Sequence, residues 1–133
     1  MKAAYLVTIF GYSAPKTDYS AIQLLKEGWG KSEDRNLEEI EIIDIRNEDE
    51  LVLSWEDFIH THHYDVFDNF FDSTLGKFPR RSCDAKYDQL MNNKFLNGKN
   101  GFKSDMTFIE SETYLRPLPD NESNNVKGSS AIK

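Results

Sequence analysis

The first strongly apolar stretch of the sequence limits most what this chain can fold into. Residues 4 to 10 are apolar on both faces of a strand, and Gly11 then breaks the run before a short polar loop. A strand that buries both faces suits a parallel sheet covered by helices on each side. The sequence therefore predicts an α/β fold that begins with a strand, a loop and a helix.

The helix predicted after the loop begins at Thr17 or Asp18, either of which can cap a free backbone amide. Apolar side chains then recur at helical spacing, at Ala21, Ile22, Leu25 and Trp29. Gly28 and Gly30 mark the end of this helix, and residues 39 to 45 form a second strand. Strand, helix and strand in close succession make a βαβ unit, whose two strands are expected to be parallel.

After residue 46 the apolar spacing changes to that of helices. One helix begins either at Asn47, which forms a capping-box pattern with Glu50, or at Ser54 with Asp57. The second alternative leaves residues 51 to 53 extended. The sequence does not decide between the two starts.

A further apolar stripe at helical spacing consists of Val66, Phe67, Phe70, Phe71 and Leu75. Gly76 and Pro79 close the helix predicted there, and Ser82 can cap a third helix. Residues 106 to 109 add a short strand or dock on the domain, while residues 120 to 133 read as a disordered tail.

The predicted fold class is therefore α/β: a partial Rossmann-like unit of two parallel strands around one helix, then a helical subdomain and a disordered tail. The βαβ unit covers residues 1–46, the helical subdomain 47–96, and the irregular segment with its flexible tail 97–133.

Composition excludes several classes of function. The formal net charge of −7 repels nucleic acid phosphates and anionic membranes, so neither is an expected partner. Cys83 is the only cysteine, which excludes an internal disulfide framework. The longest apolar run is far short of the roughly 20 residues that span a bilayer. We expect a soluble, cytoplasmic protein.

The corner formed by Gly11, Tyr12 and Ser13 lies at the carboxyl end of the first predicted strand, where open α/β sheets bind ligands. Glycine allows a phosphate or ribose to approach the backbone, and the start of the following helix adds a weak positive field. The alternative is a strand-to-helix turn that binds nothing, since the sequence contains no GxGxxG pattern.

Asp44 is the second candidate binding residue, near the end of the second predicted strand. A carboxylate at that position can accept hydrogen bonds from ribose hydroxyls. It can equally cap the next helix or form an ion pair with Arg46.

The cluster His60, His62 and His63 suggests a metal site, but successive positions on a helix point about 100° apart. The three side chains therefore diverge, and we expect a polar helix end without a metal ion.

Arg80 and Arg81 precede a predicted helix and could clamp a phosphate or carboxylate. Alternatively, they form ion pairs with nearby acids and anchor the helical segment. Cys83 lies near the same helix start, but the sequence places no base beside it, so we assign it no catalytic role.

Two apolar parallel strands need further strands beside them, because an open edge exposes unpaired backbone groups. We therefore expect a protein partner, or a second copy of the chain, to cover the edge of the first strand.

The run from Tyr5 to Ser13, a helix, and then Ile40 to Asp44 resembles the last βαβ segment of the Sir2-like NAD-binding family, bacterial type. In that family a strand ending in Gly-Thr-Ser or Gly-Tyr-Ser leads through a helix to a strand ending in Asn or Asp. Pro15 and Asp18 follow the Gly-Tyr-Ser variant as they commonly do in bacterial relatives. The resemblance covers about residues 3 to 46.

The resemblance implies that Gly11, Tyr12 and Ser13 border the phosphates and ribose of NAD or ADP-ribose, and that Asp44 meets the adenosine ribose. The family's glycine-rich strand-loop, Gln-Asn-x-Asp segment and catalytic histidine normally precede the matching region, and His60, His62 and His63 do not occupy the corresponding place. We expect a truncated or split form with no catalytic residues of its own.

The function predicted in this way is a noncatalytic nucleotide-binding fragment that completes or docks onto a larger assembly. Anti-phage defence by NAD-consuming enzymes is the context that the resemblance implies. One alternative is a self-sufficient NAD glycohydrolase that uses His62 or Arg81. The other is a structural or regulatory interaction protein that binds no ligand.

Overall fold

The computed structural model describes residues 4–12, 18–30, 39–59, 63–94, 98 and 101–120. Within these ranges three strands form one sheet: β1 (Leu6–Phe10), β2 (Glu39–Ile43) and β3 (Tyr64–Phe67). The same ranges contain the helices α1 (Tyr19–Trp29), α2 (Glu48–Ser54), α3 (Thr74–Lys77), α4 (Ser82–Met91) and α5 (Phe108–Leu115), and a 3₁₀ turn at Phe70–Asp72.

All three strands are parallel and follow the order β1-β2-β3. Val7 lies opposite Ile40 and Ile9 opposite Ile42, so the predicted parallel pairing of the first two strands is confirmed. All five residues of β2 are buried, as expected for the central strand. The chain is thus an α/β protein with a three-stranded parallel sheet.

The third strand corrects the sequence prediction, which placed Val66 and Phe67 in a helix. Residues 64 to 67 instead pair with β2, and Val66 lies opposite Ile42. The apparent helical spacing arises because β3 is short and the 3₁₀ turn follows it closely, bringing Phe70 and Phe71 into the same stretch of sequence. The region 47–96 therefore contains a strand as well as helices.

One face of the sheet carries the apolar core. Ile9, Ile40 and Ile42 contact side chains from α1, α2 and the turn after α2. The ring centroids of Trp55 and Phe58 are 5.3 Å apart. The core side chains of the helical layer are Trp29, Leu51, Trp55 and Phe58, with Ile22 and Leu25 packed against them.

The ends of these helices explain where the layer begins and ends. Asp18 caps α1, since its Oδ1 accepts a hydrogen bond from the backbone N of Ala21 at 3.4 Å. α1 ends at Gly30, whose φ of 84° favours glycine. Asn47 caps α2 through the backbone N of Asp49 at 2.8 Å. Of the two predicted starts, the one at Asn47 is therefore confirmed, although α2 ends at Ser54.

The opposite face of the sheet buries charged side chains. Glu41 is 0% exposed and accepts hydrogen bonds from the backbone N of Thr74, at the start of α3, at 3.2 and 3.3 Å. Lys86 of α4 is 3% exposed and forms an ion pair with Asp65 of β3. Glu39 of β2 is also buried. A layer of α3 and α4 is thus held to the sheet partly by charges.

The carboxyl-terminal part contains a helix where the sequence predicted a short strand or a docked segment. Thr107 and Glu110 form a capping box at the start of α5, in which each residue's side chain accepts from the other's backbone N. The predicted tail from residue 121 onward lies outside the described residues. None of the helices searched within the described ranges is long and apolar enough to cross a membrane.

Candidate functional site

A crevice of about 650 Å³ lies at the carboxyl ends of the three parallel strands. Open α/β sheets bind ligands at this edge, because the loops that leave the strands diverge there. We call this cavity the carboxyl-edge crevice. It is lined by Phe10, Gly11, Ile43, Asp44, Ile45, Asp68, Asn69, Phe70 and Phe71.

Gly11 lines the crevice, as the sequence predicted, and its φ is +65°. Its backbone N donates a hydrogen bond to the carbonyl of Ile43 at 3.0 Å, which extends the β1–β2 ladder by one residue. A Cβ added at Gly11 would meet no atom within 4 Å. Glycine is therefore favoured here by the left-handed backbone and not by crowding.

Tyr12 faces away from the crevice. Its hydroxyl donates to Oδ2 of Asp18 at 3.0 Å, and its ring centroid lies 5.9 Å from that of Trp55. Tyr12 thus joins the apolar core and the start of α1. Ser13, the third residue of the predicted corner, lies outside the described residues.

Asp44 lines the crevice and also forms the predicted ion pair with Arg46. Its Oδ1 accepts from the backbone N and Nε of Arg46, at 3.0 and 3.2 Å, and its Oδ2 accepts from Nη2 at 3.0 Å. The hydrogen bonds from the Arg46 side chain lower the pKa of Asp44 below its usual range. Asp44 is therefore an ionised, oriented carboxylate in the crevice wall.

The part of the site that follows β3 was not predicted from the sequence. Asp68 and Asn69 line the crevice directly after that strand. The Nδ2 of Asn69 donates to Oδ1 of Asp68 at 2.8 Å and to Oδ2 of Asp72 at 2.6 Å. Asn69 therefore orients the Asp68 carboxylate. Recognising residues 64 to 67 as a strand would have placed Asp68 at the same edge as Gly11 and Asp44.

Aromatic rings form the apolar wall of the crevice. Phe10 is 68% exposed, and its ring centroid lies 6.1 Å from that of Phe70. Phe70 in turn contacts Phe71 and Phe102 at centroid distances of 5.7 Å each. Phe102 contacts Tyr114 of α5 at 5.5 Å. The wall is thus supported from behind by the carboxyl-terminal helix.

The other residues that the sequence singled out lie outside the crevice lining. His63 lies at the amino end of β3, away from the crevice. Its Nδ1 is 3.5 Å from a carboxylate oxygen of Glu39. Arg81 pairs with Asp84 at 3.6 Å. Cys83 is exposed. His60 and His62 lie outside the described residues.

Metal binding finds no support in the described parts of the chain, where no group of three or more His, Cys, Asp or Glu side chains is placed to hold an ion. The crevice instead combines two carboxylates with the exposed phenyl ring of Phe10 and the partly buried rings of Phe70 and Phe71. Carboxylates accept hydrogen bonds from hydroxyl and amino groups, and phenyl rings stack on flat heterocycles.

Comparisons of the chain with protein-family models, with curated proteins and with solved structures found no match.

Proposed function

We propose that the carboxyl-edge crevice binds the nucleoside part of a nucleotide, and that this chain performs no chemistry on the ligand by itself. The observation that carries the proposal is the position of Gly11, Asp44 and Asp68 together in one cavity at the carboxyl ends of parallel strands. The parallel order β1-β2-β3 supports reading the sheet as a partial Rossmann-like unit.

The dimensions and chemistry of the crevice support a nucleoside. Its volume of about 650 Å³ lies within the range of small-molecule sites. In the proposed complex the base stacks on the exposed ring of Phe10, to which the ring of Phe70 is nearly perpendicular. The ribose hydroxyls donate hydrogen bonds to the carboxylates of Asp44 and Asp68.

NAD and ADP-ribose are the proposed nucleotides, and this choice rests on the resemblance to Sir2-like proteins. Both contain adenosine, so either could place that end in the crevice. The two titratable side chains that line the crevice, Asp44 and Asp68, suit hydrogen bonding to the ribose.

Calorimetric titration tests the proposal. We expect NAD, ADP-ribose and adenosine to bind the wild-type chain. Asp44→Asn is expected to weaken adenosine binding by about tenfold, because a charge-assisted hydrogen bond becomes a neutral one. Asp57→Asn is the matched control. Asp57 forms an exposed ion pair with Lys26 and does not line the crevice, so binding is expected to be unchanged.

Absence of heat for all three ligands would contradict the proposal, provided that circular dichroism shows folded protein. Nicotinamide release from NAD by the purified chain would contradict its noncatalytic part and favour the glycohydrolase alternative.

We also propose that a protein partner or a second copy covers the outer edge of β1. β1 and β3 are the two edge strands of the described sheet, and an edge strand presents unpaired backbone N–H and C=O groups that can pair with another chain. We expect size-exclusion chromatography with light scattering to show a mass that rises above the monomer as concentration increases. A monomeric mass throughout would contradict self-association and leave a different protein as the proposed partner.

A further inference from the structure

We infer that the carboxyl-edge crevice discriminates among its ligands by charge: it holds the uncharged nucleoside end, and each phosphate attached to that nucleoside weakens binding, so that adenosine binds more tightly than its phosphorylated forms. This inference rests on the proposed function and specifies the class of ligand. It differs from the usual expectation for a strand-loop-helix site, where the phosphates supply most of the attraction.

Among the described residues that line the crevice, the charged side chains are carboxylates. Asp44 is held ionised by Arg46, whose backbone N and guanidinium donate three hydrogen bonds to it. Asp68, which directly follows β3, contributes a second carboxylate to the crevice lining. A phosphate entering the crevice would therefore approach the carboxylate of Asp68 and the ion pair of Asp44 with Arg46.

Two of the described backbone amides at the carboxyl ends of the strands are already used by the sheet. The N of Gly11 donates to the carbonyl of Ile43 at 3.0 Å, and the N of Asp44 donates to the carbonyl of Phe67 at 3.0 Å. Both hydrogen bonds continue the strand ladders beyond β1 and β2. A phosphate at these positions would have to replace hydrogen bonds of the sheet.

The guanidinium beside Asp44 is engaged as well, because Arg46 binds both oxygens of that carboxylate. Its charge is neutralised by that pair at short range, which leaves the carboxylate of Asp68 to set the sign of the field in the crevice.

Coulomb's law gives the size of the effect. A doubly charged phosphate roughly 7 Å from one carboxylate in water loses on the order of fivefold in affinity at low salt. The loss falls at higher ionic strength, because the Debye length shortens from about 30 Å at 0.01 M to about 8 Å at 0.15 M salt.

Titration of adenosine and AMP at about 0.01 M and about 0.15 M salt tests the inference. We expect adenosine to bind about fivefold more tightly than AMP at low salt, and AMP to bind more tightly as salt is added. A site built for phosphate shows the opposite salt dependence, because salt weakens an attraction between unlike charges.

The Asp68→Asn variant tests whether the Asp68 carboxylate is the reason that adenosine binds more tightly than AMP. The change keeps the size of the side chain and removes its charge, so we expect the adenosine-to-AMP affinity ratio at low salt to fall towards one. Asp57→Asn removes one negative charge elsewhere on the surface and is expected to keep the wild-type ratio.

Tighter binding of AMP than of adenosine, or AMP affinity that declines with salt, would overturn the inference while leaving the proposed function standing. An unchanged ratio in Asp68→Asn would also overturn it. Failure of adenosine, AMP, NAD and ADP-ribose all to bind would overturn the proposed function and the inference together.

Discussion

Replacing Lys86 with methionine is expected to lower the free energy of unfolding by about 3 kcal/mol at pH 7. Lys86 is buried against the second face of the sheet and pairs with Asp65. Methionine keeps most of the apolar stem but removes the charge. The carboxylates of Glu39 and Glu41, both buried, would then lie beside Asp65 without the ammonium that compensates them.

The loss should shrink as the pH is lowered. Burial raises the pKa of Glu39 and Glu41, and the Lys86 ammonium opposes that rise. A carboxyl whose pKa is raised in the folded state binds protons more readily there, so stability falls as pH rises from the unfolded pKa to the folded one. Removing Lys86 raises the folded-state pKa values of Glu39 and Glu41 further. Lowering the pH therefore increases the free energy of unfolding more for the variant than for the wild type.

Urea denaturation followed by circular dichroism at pH 5 and pH 7 measures this difference. Adding Glu41→Gln to the Lys86→Met variant removes one buried charge and is expected to recover part of the loss. Lys26→Met is the control, since the exposed pair of Lys26 with Asp57 contributes less than about 1 kcal/mol. A Lys86→Met loss that is equal at both pH values would show that charge is not its cause.

Gly76→Ala is expected to lower the free energy of unfolding by about 3 kcal/mol. A Cβ at this position would lie 2.2 Å from the carbonyl oxygen of Phe70, which is backbone and cannot turn away as a side chain could. The segment is fixed further by Ser73, whose Oγ donates to that same carbonyl at 2.6 Å and accepts from the N of Gly76 at 3.0 Å. Phe70 would have to move, and the crevice wall with it.

Gly11→Ala provides the comparison, because it has open space around the new methyl group but a backbone that disfavours it. We expect a loss of about 1 kcal/mol from the positive φ alone. Thermal and urea unfolding of the two variants measure the difference. Equal losses would mean that the close approach of Gly76 to Phe70 is relieved at little cost.

The sequence predicted those parts of the fold that depend on local patterns. The strand in the apolar run before Gly11 and its parallel pairing with the second strand are confirmed, although β1 is an edge strand that is only partly buried. The cap at Asp18 was one of two alternatives and is the one observed. The cap at Asn47 was one of two alternatives and is the one observed. α5 was missed, although Thr107 followed by Glu110 is a capping-box pattern that indicates a helix start.

β3 could not be recognised in the same way, since a strand of four residues gives too little alternation to compete with nearby apolar side chains at helical spacing. Half of the crevice depends on that strand. Gly11 and Asp44 were placed at the correct edge because they end strands that were predicted, whereas Asp68 and Phe70 follow the strand that was missed. The burial of Glu41 against the start of α3 depends on tertiary packing, which no local pattern reveals.

The positions of the two tryptophans determine whether tryptophan fluorescence reports on unfolding or on ligand binding. Trp29 and Trp55 both belong to the core beneath α1 and α2, while phenylalanines line the crevice. Intrinsic tryptophan emission therefore follows the loss of the core during unfolding. It is poorly placed to sense a ligand at the carboxyl ends of the strands, where absorbance or heat must be recorded instead.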